Sequence, residues 1–382
     1  MDDLERELDC LFDILIITRL DLIARVRVSK KYCKPREFTK GAFFMRQGKK
    51  NFEKQLEEKT KLVEYKPGQK LIDKTKSGKK RPWRQKKIEN LLYNDYMEEL
   101  NEKKALQIHD CAETLTFQIT SDGEQKLYQV WFCKDRLCPM CSWRRSLKSA
   151  AELQQILTRA VELKPKDQFL FLTLTVKNVF GKTELKKMLK SLTEGFNRLS
   201  KYKIVQKNLV GFVRSTEVTV NETDGSYHPH LHVLLMVSPK YFKETYLSQK
   251  KWTDLWKKAM KLDYTPVVNI KKVHDKKGKG NLRSAALEVG KYQTKSKDYL
   301  SDDTNWDENL KRISDLRYGL QNTRQYGYGG LLKQIALELK AGNDDDLVHV
   351  DLDDQSETKK KVKICMAVWS YEHYNYFWKK KE

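Results

Sequence analysis

Hydrophobic and polar positions alternate most clearly between residues 168 and 300. Alternation or short apolar runs at 169–176, 210–220, 230–237 and 267–273 predict strands. Apolar positions three and four apart over 183–199, 248–262 and 282–300 predict helices, the first with Thr183 as its cap. Asn221-Glu222-Thr223-Asp224-Gly225 joins the second and third strands as a hairpin. The order is βαββαβα, which implies an α+β fold. Its sheet is expected to be mostly antiparallel, with helices on one face.

The flanking segments differ in pattern. Residues 1–30 read as helical, with 11–26 an amphipathic stretch suited to packing or self-association, and a homodimer is one expectation. Strands at 115–120 and 127–132 form a hairpin around Ser121-Asp122-Gly123. Cys133, Cys138 and Cys141 follow, and Trp143-Arg144-Arg145 opens a helix. A glycine-rich turn at 326–330 precedes a helix at 331–339, and an aromatic segment occupies 362–378. Four regions result: a basic arm with its amphipathic helix (1–105), a cysteine-bearing module (106–150), a ferredoxin-like core (151–300) and a carboxyl-terminal region partly packed on that core (301–382).

Charge narrows the class of partner. The 382 residues carry a net charge of +23. Such a field attracts polyanions, nucleic acid first and acidic membrane second. Eight Lys or Arg fall between positions 74 and 87 with no acid among them, Lys79, Lys80, Arg81 and Arg84 included. That run is either a solvated linker or an arm that tracks phosphates, and in the second case its binding falls steeply with salt. Hydrophobic residues at 39% and aromatics at 10% rule out uniform disorder. The best apolar stretch, 11–26, is broken by Asp13, Arg19, Asp21 and Arg25, so no membrane span is expected. It also lacks the basic start and the cleavage site of a signal peptide. Seven cysteines in such a chain predict reduced thiols in the cytoplasm. No phosphate-binding G-x-x-x-x-G-K-[ST] loop occurs, so any strand separation needs outside energy or a separate helicase.

Three constellations carry chemistry. His228, His230 and His232 share one strand face, because side chains alternate along a strand. Antiparallel pairing brings Glu217 near His230 or His232. Two imidazoles and a carboxylate suit Mg²⁺ or Mn²⁺ bound next to a phosphate, with His228 competing with Glu217 for the third place. Glu288, Tyr292, Lys295 and Tyr299 are spaced four, three and four apart, one face of the helix predicted at 282–300. A tyrosine nucleophile, a carboxylate general base and a phosphate-holding lysine suit phosphoryl transfer. Cys133-x4-Cys138-x2-Cys141, with Cys111 or His109 upstream, suggests structural zinc.

These motifs together resemble the replication initiators of small rolling-circle plasmids from Gram-positive bacteria, a branch of the HUH (His-hydrophobic-His) endonucleases. Phe171-Leu172-Thr173-Leu174-Thr175, His228-Pro229-His230-Leu231-His232 and Glu288-x3-Tyr292-x2-Lys295-x2-Asp298 occur in the family's order. The cysteine segment 132–145 is similar as well, and the likeness covers about 105–340. The resemblance implies a palm-like HUH nuclease core that binds a double-strand plasmid origin and acts on single-stranded DNA within it. Tyr292 would nick one strand through a 5′-phosphotyrosine. His230, His232 and Glu217 or His228 would hold the divalent ion. Glu288 would activate water for the terminating cleavage, and Lys295 would steady the phosphate. Host helicase and polymerase are the implied partners, and Arg144 and Arg145 join the basic run as expected DNA contacts. Tyr299 stands as an alternative nucleophile. A single-tyrosine HUH transposase and a zinc-dependent DNA-binding regulator without catalysis are the rival readings.

Overall fold

The computed structural model describes residues 68–75, 78, 80–120, 125–273, 286–287, 289–290, 294–301, 305–339, 347–348 and 362–379. All of them lie within one compact unit, Thr60–Glu382. The helix expected at 1–30, most of the basic arm and the 121–123 turn fall outside the described residues.

The central sheet is built from β3 (Gln168–Thr175), β4 (Leu209–Val220), β5 (Tyr227–Val237), β6 (Val268–Lys272) and β7 (Tyr326–Gly329). Its order is β6-β3-β5-β4-β7, and every neighbouring pair is antiparallel. Helices α4 (Gly181–Lys201) and α5 (Gln249–Met260) connect β3 to β4 and β5 to β6. Ser248 caps α5 by accepting from the backbone N–H of Lys251. Thr183, by contrast, lies inside α4, which begins two residues earlier.

Strand alternation splits the sheet into two faces. On one face, Leu170, Leu172, Leu231, Val233 and Leu235 pack against Leu192 and Phe196 of α4 and Trp252 and Trp256 of α5. On the other, Phe169, Val213, Leu234 and Met236 meet α3 (Pro139–Leu163) through Ile156 and Leu157. Helix α6 (Gly330–Glu338) adds Leu332 and Ile335 to the same side. Helices therefore cover both faces, not one as the pattern suggested. The reason is that β5 is apolar on both sides from Val233 to Val237, and a doubly apolar strand must be buried twice. Gly330 makes the turn from β7 into α6 with φ +58°, and a Cβ there would lie 2.3 Å from the Val210 carbonyl oxygen.

A second sheet orders β1 (Thr114–Thr120), β2 (Gln125–Val130), β8 (Val362–Ser370) and β9 (Asn375–Trp378) as β2-β1-β8-β9. The aromatic carboxyl-terminal segment thus completes the sheet of the cysteine module through the β1–β8 pair. The boundary expected at 150 falls inside α3, a single 25-residue helix.

Residues expected in the basic arm are folded from 80 onward. Helices α1 (Trp83–Leu100) and α2 (Glu102–His109) cover the module. Trp83 is the anchor that overrides the charge of its neighbours. It is buried, meets Trp143 edge-on at 4.7 Å, and donates to Asp73 at 2.7 Å.

Candidate metal centre

Register alone assembles the histidine site. In the β4–β5 hairpin Glu217 stands opposite His230 and Ser215 opposite His232. In the β3–β5 pair Thr173 stands opposite His232 and Thr175 opposite His230. Opposed residues share a face, so this polar patch continues the face that carries Val213, Leu234 and Met236.

The side chains converge on a small volume. Glu217 Oε2 lies 2.9 Å from His232 Nε2 and 3.4 Å from His230 Nε2. The two Nε2 atoms are 3.2 Å apart. Each ring is held by its other nitrogen: His230 Nδ1 lies 3.1 Å from the His228 carbonyl oxygen, and His232 Nδ1 lies 3.5 Å from Thr173 Oγ1. Backbone and hydroxyl partners on Nδ1 leave Nε2 as the inward-facing donor. Metal bonds of about 2.1 Å at right angles place neighbouring donors about 3 Å apart, close to the spacing found here. Two imidazole nitrogens and one carboxylate oxygen thus fit a divalent cation that keeps positions for other oxygen ligands.

The electrostatics agree. Burial pushes the Glu217 carboxyl up, but hydrogen bonds from His230 and His232, and their charge, hold it well below the ordinary carboxylate range. Lys295 Nζ stands 3.7 Å from Glu217 Oε1. His228 lies apart from the three-donor group. Its Nδ1 is 2.8 Å from Asn178 Oδ1, and burial, with His230 alongside, lowers its pKa. Of the two competitors for the third place, Glu217 is the one brought to His230 and His232.

The helix expected at 282–300 does not run its full length. Ala286, Leu287 and Val289 are helical, whereas Lys295 is extended (φ −78°, ψ 145°) and Ser296–Asp298 form a 3₁₀ turn. The Asp298 carboxylate accepts from the Lys295 backbone N–H at 3.1 Å, a local bond that competes with the helix. Lys295 and Tyr299 therefore do not continue a helical face from 288 and 292. Glu288 and Tyr292 themselves lie outside the described residues. Tyr299 is fully buried, and its hydroxyl donates to the Leu137 carbonyl. Burial raises its pKa, so as an alternative nucleophile it is withdrawn.

A scan of protein families matches the replication-protein family over residues 124–377. The chain belongs to that family. It is 50% identical over 313 residues to a protein rep of Lactiplantibacillus plantarum, covering 80% of this chain and 98% of the relative. A protein rep of Lentilactobacillus hilgardii is 45% identical over 312 residues, with 80% and 98% covered. One from Streptococcus pneumoniae serotype 2 is 44% identical over 318 residues, with 81% and 96% covered. No solved structure matches.

In this family member most of the expected DNA-contacting cations are drawn into the fold. Arg144 is 1% exposed. It donates to the carbonyls of Leu347 and Val348 at 2.9 and 2.7 Å and stacks over Trp83 and Trp143, so it is a packing residue. Arg81 pairs with Asp73 at 2.7 Å, and Arg84 donates to the Tyr374 carbonyl. Arg145 donates to the carbonyls of Lys134 and Asp135. Lys80 is exposed, and Lys79 lies outside the described residues.

The four cysteines, 111, 133, 138 and 141, are buried together, with a ligand atom of each within 4.8 Å of the others. His109, the other upstream candidate, stacks on Tyr371 instead. Sequence reasoning missed three supporting residues: Thr173 behind His232, Asn178 beside His228, and Lys87 beside the cysteines. Thr173 was visible as a polar break in an apolar strand, whereas Lys87 was hidden among seven other cations.

Proposed function

We infer that the chain is a plasmid rolling-circle replication initiator, a metal-dependent site-specific DNA endonuclease and strand transferase of the HUH type that works in the cytoplasm. One observation carries the reading: Glu217, His230 and His232 converge within 3.4 Å on the face of an antiparallel sheet. Membership of the replication-protein family supports it, and the β6-β3-β5-β4 order supports the ferredoxin-like palm expected of such a core.

His230, His232 and Glu217 would hold Mg²⁺ or Mn²⁺. When bound, that ion supplies charge stabilisation to a scissile phosphate. The rest is the work of this chain's own residues. The Tyr292 oxygen forms a bond to phosphorus and gives up its proton. The bond from phosphorus to the 3′-oxygen breaks, and the departing oxygen takes up a proton. The strand is left with a 5′-phosphotyrosine and a free 3′-hydroxyl, which a polymerase extends. Lys295 would steady the phosphate as a point charge, a role its position near Glu217 supports. Glu288 takes a proton from water in the second cleavage, which ends the round.

Nicking of a supercoiled plasmid that carries the origin tests the proposal. The protein with Mn²⁺ converts it to open circles, and Tyr292→Phe binds the origin without nicking it. Nicking at the wild-type rate by Tyr292→Phe contradicts the assignment.

A further inference from the structure

The cysteine cluster has the geometry of a closed metal centre. Sγ of Cys111 lies 3.5 Å from that of Cys141 and 3.7 Å from that of Cys138, and Cys133 Sγ lies 3.6 Å from Cys141 Sγ. A tetrahedron with zinc–sulfur bonds of about 2.3 Å has edges of about 3.8 Å. N–H groups point at the sulfurs: Cys133 N at Cys111 Sγ (3.4 Å), Asp135 N at Cys133 Sγ (3.5 Å) and Asn90 Nδ2 at Cys138 Sγ (3.3 Å). Donors aimed at sulfur favour thiolate over thiol.

A second observation is independent of the sulfurs. Lys87 is 0% exposed, and its ammonium donates only to neutral oxygens: His109 O at 2.6 Å, Cys111 O at 2.8 Å and Asn90 Oδ1 at 3.2 Å. Among the described residues no carboxylate lies within ion-pair distance of it. A buried cation whose nearest carboxylates, Glu113 and Asp110, act on it only from beyond ion-pair distance is costly. Four neutral thiols offer no counter-charge. Zn²⁺ with four thiolates carries a net charge of −2, and it does so directly behind Cys111 and Asn90.

We propose that Cys111, Cys133, Cys138 and Cys141 hold one zinc ion as a closed tetrathiolate centre whose excess negative charge is balanced by Lys87. Binding releases the four thiol protons, and no sulfur is oxidised. With four buried thiolates and no fifth donor among the described residues, the centre is structural. It ties the end of α2, the end of β2 and the start of α3 together. Leu137, next to the Cys138 ligand, also holds the Tyr299 hydroxyl, so the centre anchors the stretch that presents Lys295 to Glu217.

Zinc content of the full-length chain, purified under reducing conditions, tests this separately from nicking. About one zinc per chain is expected in the wild type, in a His230→Ala/His232→Ala double variant and in Cys365→Ser, and about a tenth of that or less in Cys138→Ser. Should Cys138→Ser not fold, cobalt exchanged into the wild type decides: thiolate-to-cobalt charge-transfer and tetrahedral d–d bands are expected. Absence of zinc together with absence of those bands overturns the proposal. So does zinc that disappears with the histidines but persists without Cys138. Lys87→Met should release zinc to a chelator about tenfold faster. An unchanged release rate removes Lys87 from the account.

Discussion

Among the described residues the molecule carries two clusters of metal-ligating side chains, and they differ in number, kind and origin of their donors. The cysteine cluster has four like donors, gathered from the ends of three elements and all buried. The histidine cluster has three donors of two kinds, all from one hairpin, with a lysine at its edge. A closed set of four saturates a tetrahedral ion and leaves nothing for a substrate. An open set of three leaves coordination positions for phosphate oxygens. The sequence distance between donors follows the same division. Residues 111–141 must fold from several elements before four sulfurs meet, whereas 217–232 meet as soon as one hairpin forms.

Four substitutions can break or sharpen that contrast. The largest effect is expected at the open site. His232→Ala should slow nicking about 10³-fold, equivalent to about 4 kcal/mol, with the fold intact by circular dichroism. A loss below about tenfold would remove His232 from the ligand set. The next largest is a stability effect in the closed region. Arg144→Ala leaves two carbonyls without their donor and exposes the Trp83–Trp143 contact. It should cost about 2–4 kcal/mol in urea unfolding while the folded fraction keeps wild-type origin affinity. Weaker DNA binding at unchanged stability would return Arg144 to the DNA surface.

The third effect is pH-dependent. Glu217 has its pKa depressed in the folded state, so its contribution is present above the ordinary value of 4.5 and is lost as pH falls below it. With chelator present, the stabilities of wild type and Glu217→Gln should differ most above that value and converge as acid is added. Parallel curves would mean that the carboxylate gains nothing from the histidines. The smallest effect is expected at His228. Its ring is tied to Asn178, and what it offers His230 is a backbone carbonyl that alanine retains. His228→Ala should keep Mn²⁺ affinity within about tenfold of wild type. A loss as large as that of His232→Ala would exchange the roles of His228 and Glu217.

The sheet that bears the site was legible because its strands are strongly patterned. All four core strands, both connecting helices and the 221–225 hairpin fall where alternation put them. Register then follows from the hairpin, and with it the approach of Glu217 to His230. What could not be read depends on contacts distant in sequence. Trp83 turns a basic run into a buried corner by packing on Trp143, 60 positions away. Arg144 looked like a phosphate contact until Leu347 and Val348 supplied carbonyls for it. Periodicity carried the 282–300 helix past its true extent, because Asp298 competes for the Lys295 amide and Tyr299 is drawn to Leu137. The pairing of β1 with β8 joins residues more than 200 positions apart, and no local pattern announces it.

The central claim is that the Glu217–His230–His232 site serves a tyrosine that becomes covalently bound to DNA. The most direct measurement incubates the protein and Mn²⁺ with end-labelled single-stranded origin oligonucleotide and maps any adduct by mass spectrometry. The account predicts a DNA fragment linked through its 5′-phosphate to Tyr292, absent from Glu217→Ala and His232→Ala. An adduct on another residue, or cleavage of the oligonucleotide with no adduct, would contradict it.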